Sequence, residues 1–136
     1  MDYTKPLPLV TDLNRPHWEG ARRHEFLVQQ CTACEHRWFP PLPNCNRCLS
    51  TDYRWTPIEG TGKVYSFIVY HQAWLEGFKQ ELPYNVALIE LDEGLRVVNN
   101  VGGVGSDELH IGMPVRVAYD EVSPEVVIPR FVPADT

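Results

Sequence analysis

A chain of 136 residues holds one domain of ordinary size, or a small domain with a stapled appendage. A hydrophobic fraction of 43% and a charged fraction of 22% are those of a globular protein with a real core. The formal charge of −6 and pI of about 5.3 are the reverse of what a protein gripping a phosphate backbone carries, and no stretch reaches the roughly 20 apolar residues of a membrane-spanning helix.

The N-terminal stretch MDYTKPLPLVTDLNRP has no apolar run of signal length, so the four cysteines are expected reduced, in the cytoplasm, as ligands rather than disulfides. Twelve prolines favour a strand- and loop-rich fold over helices. Residues 1 to 13 read as an extended arm. NRPHWEGARRHEF reads as a helix of at most three turns, with Asn14 as its cap, Pro16 early, Glu19 in the first turn, and Arg22 and Arg23 near the end. FLVQQC then leads into CTACEHRWFPPLPNCNRC, which contains every cysteine of the chain.

Two CxxC turns ten residues apart supply Cys31, Cys34, Cys45 and Cys48, a full tetrahedral set with no open position. The pattern predicts a structural metal, Zn²⁺ or, in the same thiolate shell, iron. Redox CxxC motifs need a βαβ context that the surrounding sequence lacks. Zinc-ribbon turns often carry glycine after the second cysteine, where φ turns positive. Here Glu35 and Leu49 occupy those positions, which predicts strain. The FPPLP link stiffens the span between the turns, and His36 is expected at the surface rather than as a ligand.

LSTDYRWTPIEGTG reads as a polar connector, after which five short strands are predicted at 63–71, 85–92, 95–101, 115–122 and 126–132. The DEG turn between the second and third places Gly94 where φ must be positive. Short links make the sheet antiparallel, and about 75 residues with five strands fit an OB-type barrel. The expected architecture is thus mainly β. It comprises an N-terminal arm and helix (1–28), a four-cysteine zinc ribbon (29–58) and a five-stranded OB-fold barrel (59–136).

PHWEGARRHEFLVQQCTACEHRWFPPLPNCNRC, GTGKVYSFIVYH, LPYNVALIELDEGLRVVNNVGG, IGMPVRVAYDE and IPRFVP together resemble the DUF35 family: helical arm, rubredoxin-like zinc ribbon, then OB-fold. The resemblance covers about residues 12 to 133, and the missing glycines at 35 and 49 are its main departure. It implies a non-catalytic accessory subunit of a thiolase-like or aldolase-type acyl-CoA enzyme, or of a MaoC-type hydratase. That role belongs to acyl-CoA metabolism, including steroid side-chain degradation, with the partner supplying the catalytic residues.

The residues leave two alternatives open: a stand-alone acyl-CoA-binding or acyl-transfer protein, and a single-stranded nucleic-acid module. No leftover cysteine, grouped histidines or GxSxG motif marks a catalytic centre, and GGVG at 102–105 reads as a turn. Candidate contacts to acyl-CoA or partner are Trp18, Arg22, Arg23, His71, Trp74, Phe78 and Tyr84. Trp74, Leu75, Phe78 and Tyr84 either cap the barrel or line an apolar groove.

Overall fold

The computed structural model describes residues 7–72 and 75–135, except for the side chains of Phe78, Gln80 and Glu81. One helix, α1 (Arg15–Arg22), precedes eight strands: β1 (Phe26–Cys31), β2 (Arg37–Trp38), β3 (Tyr53–Ile58), β4 (Thr61–Tyr70), β5 (Tyr84–Leu91), β6 (Arg96–Asn99), β7 (Pro114–Glu121) and β8 (Val127–Pro133). A 3-10 turn spans Glu76–Glu81.

Helix α1 runs for just over two turns, within the three that the sequence allows, and its ends differ in detail from expectation. Asn14 occupies the cap position but makes no capping bond. Its side chain turns backwards instead, Oδ1 accepting from the Thr11 N–H (2.7 Å) and Nδ2 donating to Leu9 O (3.0 Å). Glu19, expected in the first turn, is the fifth residue of the helix, and the first turn carries no acidic residue. At the other end His24 enters the left-handed region (φ 60°), and the His24 and Glu25 N–H groups close on the Ala21 and Gly20 carbonyls. Histidine here does what glycine usually does at a helix C-terminus.

The stretch expected as a polar connector contains β3, and this corrects the reading. Over its whole length β3 pairs with β1, from Phe26 opposite Ile58 to Cys31 opposite Tyr53. With β2 on the other side, the small sheet runs β2-β1-β3. Tyr53 and Trp55 alternate with Arg54 and Thr56, but the run is short and is followed by Pro57, a residue that argues against a strand, so the element is defined by its pairing with β1.

The second sheet runs β6-β5-β4-β7-β8 and curls until its edges approach. They meet at the parallel bridge between Val101 and Phe131, where the Gly102 N–H donates to Phe131 O (2.8 Å). Asn85, buried, clamps the same seam: Nδ2 donates to Val101 O (2.9 Å) and Oδ1 accepts the Val101 N–H (2.8 Å). Gly94 has φ 96°, as its turn demands. Gly62 is required by close approach: a Cβ there would lie 2.2 Å from Glu90 O.

The main core fills the curled sheet with Val64, Ile89, Leu91, Val97, Val115 and Phe131, joined by Phe26 and Val28 from β1. Ribbon and barrel therefore share one core. A second, smaller cluster of Cys31, Trp38 and Cys45, with Cys34 and Tyr53 against it, lies at the other end of β1. One strand thus joins the cysteine centre to the barrel interior. Among the described residues, no helix is long and apolar enough to cross a membrane.

Candidate metal centre and its surroundings

Each CxxC segment folds into the same turn. The Glu35 N–H donates to Cys31 O (2.9 Å) and the Leu49 N–H to Cys45 O (3.0 Å). Within each turn two further N–H groups point at the first sulfur: Ala33 and Cys34 at Cys31 Sγ (3.3 and 3.4 Å), Arg47 and Cys48 at Cys45 Sγ (3.3 and 3.4 Å). To close these turns, Glu35 and Leu49 adopt φ of 66° and 67°. Both are non-glycine residues in the left-handed region, as the missing glycines lead one to expect.

The four sulfurs converge. Cys31 and Cys48 are 3.5 Å apart, Cys34 and Cys45 are 3.7 Å apart, and all four lie within 4.8 Å of one another. A tetrahedral ion with metal–sulfur bonds of about 2.3 Å needs sulfur–sulfur distances of about 3.8 Å. The donor set, the spacing and the inward N–H groups all fit a four-thiolate metal site.

Its electrostatics also favour thiolates. The Cys34 N–H, aided by that of Ala33, brings the Cys31 thiol down to about 7 against the opposing effect of burial. At Cys45 burial pulls upward, but the Cys48 and Arg47 N–H groups outweigh it and lower the thiol. A main-chain bond at Ser50 favours the Cys48 thiolate, yet the neighbouring Cys31 sulfur and burial push it up to about 12. Cys48 thus holds its proton more tightly than Cys31 or Cys45, an obstacle that a cation removes.

Two buried glutamines brace the centre, and neither stands out in the sequence. Gln29 spans the proline-rich link, its Nε2 donating to Leu42 O (2.7 Å) while its Oε1 accepts the Leu42 N–H (2.8 Å). Gln30 Nε2 donates to Glu35 O (3.0 Å), pinning the strained residue, and its Oε1 accepts from Arg54 (3.2 Å). His36 stays outside the thiolate group and contacts Asn46 Oδ1 (2.8 Å).

His17 is a further buried polar residue without a sequence signal. It packs edge-on against Trp18 and Phe26 (centroids 5.0 and 5.4 Å) and against Phe39 (4.9 Å). Its Nδ1 lies 3.1 Å from Leu27 O, so Nδ1 carries the hydrogen and the carbonyl accepts it. Burial lowers its pKa, partly offset by that bond, and the ring is neutral at pH 7.

Among the described residues, the candidate contacts are spread over several places. Trp18 and Arg22 share a cleft of about 220 Å³ with Arg15, Glu19 and Glu125. Arg23 is committed elsewhere, to Glu25 at 2.9 Å. His71 is exposed just past β4. Tyr84 stacks on Tyr70 (5.2 Å, 22°) and borders a groove of about 290 Å³ along the barrel seam. Trp74 and the Phe78 side chain lie outside the described residues.

Comparison with known proteins agrees with this architecture. Residues 18–54 match the family model of the ChsH2 rubredoxin-like zinc ribbon domain, and residues 55–120 that of the ChsH2 C-terminal OB-fold domain. A "Probable enoyl-CoA hydratase alpha subunit" of Thermomonospora curvata is 41% identical over 96% of this chain, which spans only 40% of that protein's length. A "DUF35 domain-containing scaffold protein" of Methanocaldococcus jannaschii is 30% identical, over 77% of this chain and 75% of the relative. A solved structure described as "Ltp2-ChsH2(DUF35) aldolase" superposes with a TM-score of 0.83 at 41% identity, over 94% of this chain and 99% of that one. The chain belongs to the DUF35 family, with a ChsH2-type zinc ribbon and OB-fold.

Proposed function

We propose that this chain is a non-catalytic accessory subunit of an acyl-CoA enzyme of the aldolase or thiolase-like type, and that Zn²⁺ holds its ribbon. The observation that carries the reading is the likeness to the ChsH2(DUF35) chain of an Ltp2–ChsH2 aldolase, which extends over 99% of that chain. Relatives named as hydratase alpha subunits and as a scaffold protein support the same kind of role, although this chain spans 40% or less of the two hydratase subunits. The match to a zinc ribbon family model supports zinc, and the closed four-sulfur shell, with no open position for a substrate, is a structural rather than a catalytic arrangement.

The residues themselves point the same way. The thiolate shell sits at one end of β1 and the barrel core at the other, so the metal stiffens a frame. An independent acyl-CoA carrier needs cationic groups for the phosphates, and the Trp18–Arg22 cleft sets Glu19 and Glu125 beside its arginines. A single-stranded nucleic-acid module needs aromatics interleaved with basic residues. The outward side of β4 to β6 has the aromatics Tyr65, Tyr70 and Tyr84, but on these three strands the cations are Lys63 and Arg96, both near one end and both beside Glu90.

Co-expression with an Ltp2-type aldolase subunit followed by size exclusion tests the reading: a stable complex is expected. A chain that elutes alone at micromolar concentrations of both proteins contradicts it. Metal analysis of the purified chain is expected to return one zinc per molecule.

A further inference from the structure

The outward face of β4, β5 and β6 is apolar where a solvent-facing sheet is ordinarily polar. The register places Ile68 opposite Val86, Tyr70 opposite Tyr84, and Leu88 opposite both Ser66 and Val98. Residues directly opposite share a face, so these side chains form one continuous surface. Ile68 is 53% exposed and Val98 67%. The bulge between Val64 and Ser66 adds Tyr65, 46% exposed, with the Arg96 guanidinium 3.9 Å over its ring.

We infer that this face, centred on Ile68 and Val98, is the surface on which the acyl-CoA enzyme subunit docks. The inference rests on the accessory-subunit reading above and adds the location to it. Ile68 and Val98 leave more than half of their surface in solvent, and Tyr65 and Tyr70 more than a third, a contiguous apolar grouping of the kind that marks an interaction site. Within β4 to β6 charge is confined to one end, where Lys63, Glu90 and Arg96 cluster, which is the distribution of an apolar interface centre with a polar rim. Along its other margin runs the 290 Å³ seam groove, bordered by Tyr84, Val98 and Pro129 with Asn99, Asn100 and Arg130 at its polar edge, a recess suited to one amphipathic anchoring side chain of a partner.

The occupant is a different protein rather than a second copy. Two copies would each bring a net charge of −6, and their mutual repulsion opposes a close apolar contact. A folded subunit with an uncharged apolar face carries no such penalty.

The test measures binding of the full-length chain to an Ltp2-type aldolase subunit by calorimetry. Ile68→Asp and Val98→Asp are each expected to weaken binding by about 100-fold or more, as truncation of an interface centre does. Ile111→Asp, at an equally exposed residue outside the face, is expected to bind like the parent chain. Unchanged metal content and melting temperature in the three variants exclude a folding defect. Parent-like affinity of Ile68→Asp and Val98→Asp overturns the docking face while leaving the accessory role standing. Failure of the parent chain to bind overturns both. A parent chain that dimerises alone and is made monomeric by Val98→Asp assigns the face to a second copy and also overturns the inference.

Discussion

Gln29 and Leu42 hold each other by both main-chain groups of Leu42, although 13 residues separate them. The glutamine is 1% exposed, so its amide has no water to fall back on. This clasp fixes the proline-rich link against β1 and thereby sets the second CxxC turn opposite the first. Gln29→Leu keeps the volume but strands the Leu42 N–H and C=O. A loss of about 2 kcal/mol is expected in chemical denaturation, together with weaker metal retention.

The left-handed residues of the two turns predict the opposite sign. Glu35 and Leu49 are both exposed, and Leu49 has 71% of its surface in solvent, so neither side chain offsets its backbone cost. Leu49→Gly and Glu35→Gly are each expected to raise stability by about 1 kcal/mol, since glycine takes φ near 66° freely. Glu35→Gly keeps the carbonyl that Gln30 binds. A thermal melt that falls in both variants contradicts the account of the turns.

Burial depresses the His17 pKa below its unfolded value, and the consequence for stability has a definite sign. The folded protein holds the neutral ring, while the unfolded chain binds a proton near pH 6.5. His17 therefore contributes stability that is complete above about pH 6.5 and is lost as pH falls toward the lower folded pKa. His17→Gln is expected to flatten the fall in stability between neutral and mildly acidic pH relative to the parent chain. Denaturation midpoints at a series of pH values check this.

Removal of the metal should be felt at a distance. Cys31 ends the strand whose other end carries Phe26 and Val28 into the barrel core. Cys31→Ser, or a strong chelator, is expected to lower stability by several kcal/mol and to weaken partner binding as well. Amide exchange should quicken first in β2, β3 and the Cys31 end of β1, and then at the Phe26 end and its barrel neighbours.

The strands of the barrel are legible in the sequence because one side of each faces a core. In β5 the alternation from Tyr84 to Leu91 is complete, half-buried then buried at every step. The thiolates are equally legible, since CxxC spacing carries the ligand geometry locally. Strand β3 is not, because its apolar residues serve a small ribbon and its order comes from β1. Nor are Gln29, Gln30 and His17: a polar residue is recognisable as structural only once the distant group that satisfies it is in place. The details of the helix ends have a similar cause, with the Asn14 side chain bonding upstream and His24 adopting a conformation that its residue type does not advertise.

Turnover by the separated components tests the accessory role most directly. The pure chain, the pure Ltp2-type subunit and their mixture are each assayed for cleavage of a β-hydroxyacyl-CoA thioester. The account predicts no turnover by this chain at any concentration, and higher activity or stability of the partner in the mixture. Catalysis by this chain alone, retained after the partner is removed, would contradict it.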